Sequence, residues 1–343
     1  MLRSFHYYEP EEENRIRKEM KDSALFEREI ETAGKFAKAQ KQCGGRRQAA
    51  DVCPICRSRN IAPFYEKWGV QYFRCDICYS VFADVDTETE EKYRCFPELV
   101  QIRTSAEYQE KAAYSRRQMW NELLDWLKFR TYRYLGKNTG LRILDYGNRY
   151  QGLIDLIQKS DLCGSYELRN SILSAQQNDT EKNTAPADVV LCLDDIQHET
   201  DPVSFLKEVK QSLSPEGLLF LSTRVGGGFD ILTLRENNRN VFPYEHIMMP
   251  SKEGIRILLE AAGYEMLEIT TPGTFDWNYV KANKKGLSEG EYFLRYFMDT
   301  ATTGMEAEFQ RFLQQSGLSS YAQVVAGPVA SSAPGEGAHR GLL

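Results

Sequence analysis

From Leu141 to Thr270 the chain alternates short β-prone runs with amphipathic helical ones, and no other feature restricts its fold so tightly. "LRILDY", "CGSYEL", "ADVVLCL", "GLLFLST" and "YEMLEIT" read as strands, rich in branched and aromatic residues. "QGLIDLIQK", "RNSILSAQQ", "DPVSFLKEVKQSL" and "SKEGIRILLEAAG" fall between them with helical spacing of their apolar residues. Strands joined through helices must run parallel, so the pattern predicts an α/β fold with a doubly wound, mostly parallel sheet. A helical stretch over 289–316 and a last strand, "SSYAQVVAG", follow.

Ahead of this region stand two cysteine pairs, Cys53-x2-Cys56 and Cys75-x2-Cys78, with 18 residues between them. Each pair places two thiolates on one tight knuckle, and two knuckles complete a tetrahedral zinc site. Four thiolates leave the metal no open position, so the zinc is expected to be structural and to replace a core too small to fold alone. Cys43, Cys95, Cys163 and Cys192 are scattered and read as ordinary thiols of a reducing compartment.

The remaining segments are helical or linking. Residues 9–42 are charge-dense with Ile16, Met20, Phe26, Ile30 and Phe36 at loose helical intervals. They predict one or two amphipathic helices packed on the main body or on another subunit, the latter making a homo-oligomer. "CGGRRQAAD" reads as a linker, and 105–135 as one long helix with Met119, Leu123, Trp126 and Leu127 on one side. The expected units are thus a helical extension (1–50), a zinc ribbon (51–84), a helical connection (85–136), the α/β domain (137–327) and a disordered tail (328–343).

Charge and hydropathy exclude some partners. The formal charge is −6, and four zinc-bound thiolates would take it to about −8. An acidic chain is a poor non-specific ligand for nucleic acid, so small molecules or proteins are the expected partners. No apolar run approaches a membrane span and the N-terminal residues lack the apolar core of a secretory signal, which predicts a cytoplasmic protein.

The motifs together resemble class I S-adenosylmethionine-dependent methyltransferases that carry an N-terminal zinc ribbon, a group that includes C-methyltransferases of deoxysugar nucleotides. The likeness rests on "CPIC…CDIC", "ILDYG", "DVVLCLDDIQHETDPVSFLKEVKQSLSPEGLLFLST", "YEHIMMPSKEGIRILLEAAGYE" and "SSYAQVVA". It implies a seven-stranded Rossmann-like sheet and an acid-x-Gly-x-Gly-x-Gly turn against the methionine part of S-adenosylmethionine. Asp145 and Gly147 stand at the start of that turn, Arg149 occupies the second glycine position, and Gly152 falls one residue late for the third. Glu167, 22 residues after Asp145, matches the acid expected to bond the ribose. Only 20 residues separate Glu167 from Asp188, which leaves no length for the usual third strand and its adenine contact.

The same resemblance gives His198 and the pair Glu245-His246 as acid–base candidates, on loops that open at the carboxyl edge of the sheet. The chemistry implied is proton removal beside a keto group, then attack of the carbanion on the sulfonium methyl, with a nucleotide-linked sugar as one candidate acceptor. Two readings follow. One is a methyltransferase acting on a small metabolite; the other is a non-catalytic relative that binds or assembles without S-adenosylmethionine. A zinc-ribbon nucleic-acid module is disfavoured by the acidic charge.

Overall fold

The computed structural model describes residues 24–42, 51–147, 150–169 and 185–329. Its first helix, α1 (Ala24–Gln42), precedes a hairpin of β1 (Ile61–Lys67) and β2 (Val70–Cys75). Lys67 pairs with Val70, so the loop is the two residues Trp68-Gly69, with φ of 52° and 84°. Positive φ at both centres is the turn that matches the twist of paired strands. β3 (Val81–Ala83) joins β2, and three helices follow: α2 (Thr87–Arg94), α3 (Pro97–Thr104) and α4 (Ala106–Leu135). Ser105 caps α4 by accepting from the Tyr108 amide, and Gly136, at φ 71°, ends it.

The alternating region then runs β4 (Leu141–Asp145), α5 (Gln151–Lys159), β5 (Cys163–Leu168), β6 (Ala187–Leu193), α6 (Pro202–Gln211) and β7 (Leu213–Arg224). It continues as α7 (Phe229–Leu234), β8 (Met248–Met249), α8 (Lys252–Ala262), β9 (Tyr264–Thr270), α9 (Asp276–Ala282), α10 (Tyr292–Thr300), α11 (Thr303–Gln315) and β10 (Tyr321–Pro328). The main sheet has the order β5-β4-β6-β7-β10-β9. β5, β4, β6 and β7 pair in parallel, and β10 is antiparallel to both neighbours.

Six strands are thus present among the described residues where the resemblance implies seven, and β5 forms the edge. The expected helix "RNSILSAQQ" lies outside the described residues apart from Arg169, as do the linker at 43–50 and the tail from 330. Leu213, read as the end of a helix, instead opens β7, because its backbone pairs with Ala187. The single helical stretch over 289–316 is two helices, since Thr302 caps α11 by accepting from the Met305 amide.

One face of the sheet packs on α4 through Leu123, Trp126 and Leu127, with Trp126 edge-on to Phe220 at 4.8 Å. The other packs on α6 and α8 through Phe205, Leu206, Val209, Leu258 and Leu259. Each such side chain, fully buried, contributes about 1.5–3 kcal/mol. α1 lies against the body of the same chain: Phe36 meets Tyr93, Phe96 and Tyr244, each at 5.2 Å. No helix among the described residues is long and apolar enough to cross a membrane.

The smaller sheet has the order β1-β2-β3-β8. Its fourth strand comes from beyond β7, in the stretch that follows Glu245-His246. A hydrogen bond from the Ala83 amide to the Ile247 carbonyl, at 2.7 Å, continues that pairing.

Candidate functional site

The four paired cysteines bring their sulfurs within 4.8 Å of one another, with Cys53–Cys78 at 3.6 Å and Cys56–Cys75 at 3.5 Å. Two thiolates about 2.3 Å from a tetrahedral zinc lie about 3.8 Å apart, so the residues fit the metal. The two knuckles are built alike. Arg57 and Tyr79, each next after the second cysteine of its pair, have φ of 60° and 58°. Their amides donate to the carbonyls of Cys53 (3.0 Å) and Cys75 (2.9 Å). The second knuckle also supports α8: Ser251, its N-cap, donates through its hydroxyl to the Cys78 carbonyl, and its amide donates to the Ser80 hydroxyl at 3.0 Å.

A cleft of about 870 Å³ opens at the carboxyl edge of the main sheet. Gly147, Asp194, His198, Arg224, Glu245 and His246 are among its lining residues, so the structure brings all three acid–base candidates to one cavity. Glu245 is held by Arg103 and by the Tyr93 hydroxyl, which donates at 3.0 Å. Arg103 also donates to Glu29 of α1 at 2.7 Å, and the Tyr108 hydroxyl donates to the other Glu29 oxygen at 2.9 Å. Burial by itself would raise the Glu245 pKa, but the Arg103 charge and these hydrogen bonds outweigh it and hold the carboxyl below its ordinary range. Glu29 shifts the other way, upward, because burial dominates there.

His246 is buried, and its Nδ1 accepts the Phe242 amide at 3.0 Å. Burial, assisted by the Arg224 charge, lowers its pKa to about 3. The imidazole is therefore neutral, and its proton sits on Nε2. In that form His246 offers the cleft a hydrogen-bond donor rather than a base. His198 lies in a 3-10 turn, Ile196–His198, whose amide donates to the Asp195 carbonyl at 3.0 Å.

The residues of the cofactor turn are in close contact with other side chains of the chain. A Cβ on Gly147 would stand 2.3 Å from an Asp195 carboxylate oxygen, and one on Gly152 would stand 2.1 Å from the Trp120 ring. The two glycines that the turn retains therefore serve internal contacts. Asp145 is buried and accepts from the Tyr166 hydroxyl at 2.5 Å and the Gly147 amide at 2.9 Å. Beside it the void is about 10 Å³, room for roughly one water molecule. Glu167 pairs with Arg142 at 3.1 Å and lines neither cavity. The Tyr150 hydroxyl donates to Asp194, spanning from the turn to the end of β6. Arg149 and Asn148 lie outside the described residues. Asp145, Gly147, Gly152 and Glu167 thus each have close neighbours within the chain, and of the four Gly147 borders the cleft.

Several cleft residues escaped the sequence reading. Glu29, Arg103 and Arg116 sit on helices outside the alternating region, where nothing in their spacing marks them. Tyr150 follows Arg149 at a position the glycine pattern leaves free, so nothing in the pattern marked it either.

Comparison with known proteins gives the following likenesses. Residues 114–269 match the model of a methyltransferase domain. A tRNA U34 carboxymethyltransferase of Campylobacter lari is 29% identical over 122 residues, 35% of this chain and 40% of that protein. The chain thus spans about 40% of the length of this curated relative. Among solved structures, the plantazolicin methyltransferase BamL, in complex with a triazolic desmethylPZN analog and SAH, is 13% identical at a TM-score of 0.41, covering 70% of this chain and 94% of that one. Coclaurine N-methyltransferase, bound to N-methylheliamine and SAH, is 14% identical at a TM-score of 0.36, covering 61% and 71%.

Proposed function

We propose that this protein binds a polar small molecule in the cleft, on a methyltransferase-like domain that no longer uses S-adenosylmethionine. The observation that carries the reading is the set of internal contacts made by the residues of the cofactor turn. Tyr150 bridges to Asp194, Asp195 lies on Gly147, and Trp120 lies on Gly152. On this reading these internal contacts take the place of contacts to a methyl donor. The cleft itself stays open beyond that point, bordered by charged and polar side chains. The zinc ribbon, with its closed four-cysteine centre, would act as a structural support for the stretch after Glu245-His246, which pairs with it through β8.

A second reading is methyl transfer to a small metabolite, a nucleotide-linked sugar among the candidates. It is favoured by the gathering of His198, Glu245 and His246 around one cavity of about 870 Å³. In that reading His246 would donate from Nε2 to an oxygen of the acceptor.

Calorimetric titration of S-adenosylmethionine and S-adenosylhomocysteine into the zinc-loaded protein separates the two. The proposal expects no heat of binding at millimolar ligand, and weak binding to emerge in Tyr150→Gly. Micromolar affinity in the unaltered protein would overturn it and establish the second reading.

A further inference from the structure

The charged side chains that line the cleft nearly all have an opposite charge or a set of hydrogen bonds within the chain. Arg103 lies between Glu29 and Glu245. Arg130 pairs with Glu268, and Arg224 stands 3.7 Å from Asp230. Asp194 accepts from Tyr150 and Ser222. Asp276 accepts from Ser319, Ser320 and Gln310.

Arg116 is different. Among the described residues it has no carboxylate partner, and its guanidinium stands 5.9 Å from the Tyr150 ring centroid. Its helix offers none either: Ala112, Ala113, Met119 and Trp120 occupy the positions three and four residues away. On the same helix Lys111 does have such a partner, Glu107 at 2.9 Å.

A guanidinium backed by a ring keeps its N–H groups in its own plane, where they suit the paired oxygens of a carboxylate or phosphate. Tyr150 is itself fixed by Asp194, so the fork is held on a rigid support. Beside it, Met119 and Ala112 give an apolar wall, which strengthens an ion pair relative to water. His246, with Nε2–H directed to no acceptor among the described residues, adds a second donor to the cavity.

We infer that the ligand of the cleft carries an oxyanion, a carboxylate or a phosphate, and that Arg116 is its ion-pair partner. The inference rests on reading the cleft as a ligand site and names the chemistry that site selects.

The test uses three probes of one carbon skeleton on the zinc-loaded full chain at low salt: glucose 6-phosphate, gluconate and uncharged glucose. Calorimetry should show one of the two anions binding at least about tenfold more tightly than glucose, a difference of about 1.4 kcal/mol. Which anion prevails separates a phosphate ligand from a carboxylate one. Arg116→Gln should lose that preference while its melting temperature stays that of the parent. Anions that bind no better than glucose, or an Arg116→Gln protein that keeps the preference, would overturn the inference.

S-adenosylmethionine, itself a carboxylate, keeps the two proposals distinct. Binding of it that Arg116→Gln weakens tenfold would sink the functional reading and uphold this one. Binding of it that Arg116→Gln leaves unchanged, with no anion preference, would sink both.

Discussion

Two ring nitrogens decide what His246 can do. Nδ1 receives the Phe242 amide, and burial keeps the ring neutral with a pKa of about 3, so only Nε2–H faces the cleft. Removing the ring leaves a buried N–H unpaired. His246→Ala should therefore cost about 1–3 kcal/mol in urea unfolding, and His246→Asn, whose side-chain oxygen overlays Nδ1, should recover part of it. The same shift fixes a pH dependence. Below the ordinary value of 6.5 the unfolded histidine takes up a proton that the folded one refuses, so stability falls as the medium is acidified. Between pH 6.5 and 5, above the ordinary range of carboxylates, this one group should contribute up to about 1.4 kcal/mol per pH unit. His246→Asn should lack that contribution, and an unchanged slope would mean the ring is not neutral in the fold. Glycine positions give a second residue-level test. Gly152→Ala should destabilise the protein by about 1–3 kcal/mol through overpacking, and Trp120→Ala should relieve the clash. If Trp120→Ala gives no relief, the glycine is kept for something other than the ring. The sequence pattern marks both glycines but not their neighbours, because Trp120 and Asp195 reach them from distant segments.

Elements that depend on their own periodicity were legible, and those that depend on a remote partner were not. β5 and β9 match "CGSYEL" and "YEMLEIT" residue for residue, since each is a run of strand-forming residues between breakers. β8 escaped because two methionines carry no strand pattern; they are a strand only through pairing with Val81 and Phe82 of the ribbon. That pairing has a consequence for the metal. The ribbon was expected as a unit of its own at 51–84, yet its sheet is completed by the stretch after His246, and Tyr72 donates to the His246 carbonyl at 3.2 Å. Stripping zinc should therefore loosen more than the knuckles. Cys75→Ser should release the metal, and amide exchange should accelerate together at 81–83 and 247–251. Exchange confined to 51–80 would make the ribbon an independent appendage and free the cleft from any dependence on zinc.

At the scale of the molecule, one ion network ties the cleft to three distant parts of the chain. Glu29 belongs to α1, Arg103 to α3 and Glu245 to the loop before β8, and the guanidinium lies between both carboxylates. The helical extension was read as packing either on the body or on another subunit. Leu25, Phe26, Ala33, Phe36 and Ala37 are in fact buried within this chain, so this face of α1 is already used. The extension then belongs to the cooperative core, and a change in it should register there. Phe36→Ala deletes a ring that meets Tyr93, Phe96 and Tyr244, and by the usual cost of emptying such a position it should remove about 3–5 kcal/mol. Glu29→Gln should cost less, because Arg103 keeps Glu245 as its partner and the repulsion between the two carboxylates is relieved. Both variants should shift one and the same unfolding transition when it is followed by tryptophan fluorescence and by circular dichroism. A separate early transition, or a Phe36→Ala protein as stable as its parent, would show that α1 docks loosely and that the cleft keeps its form without it.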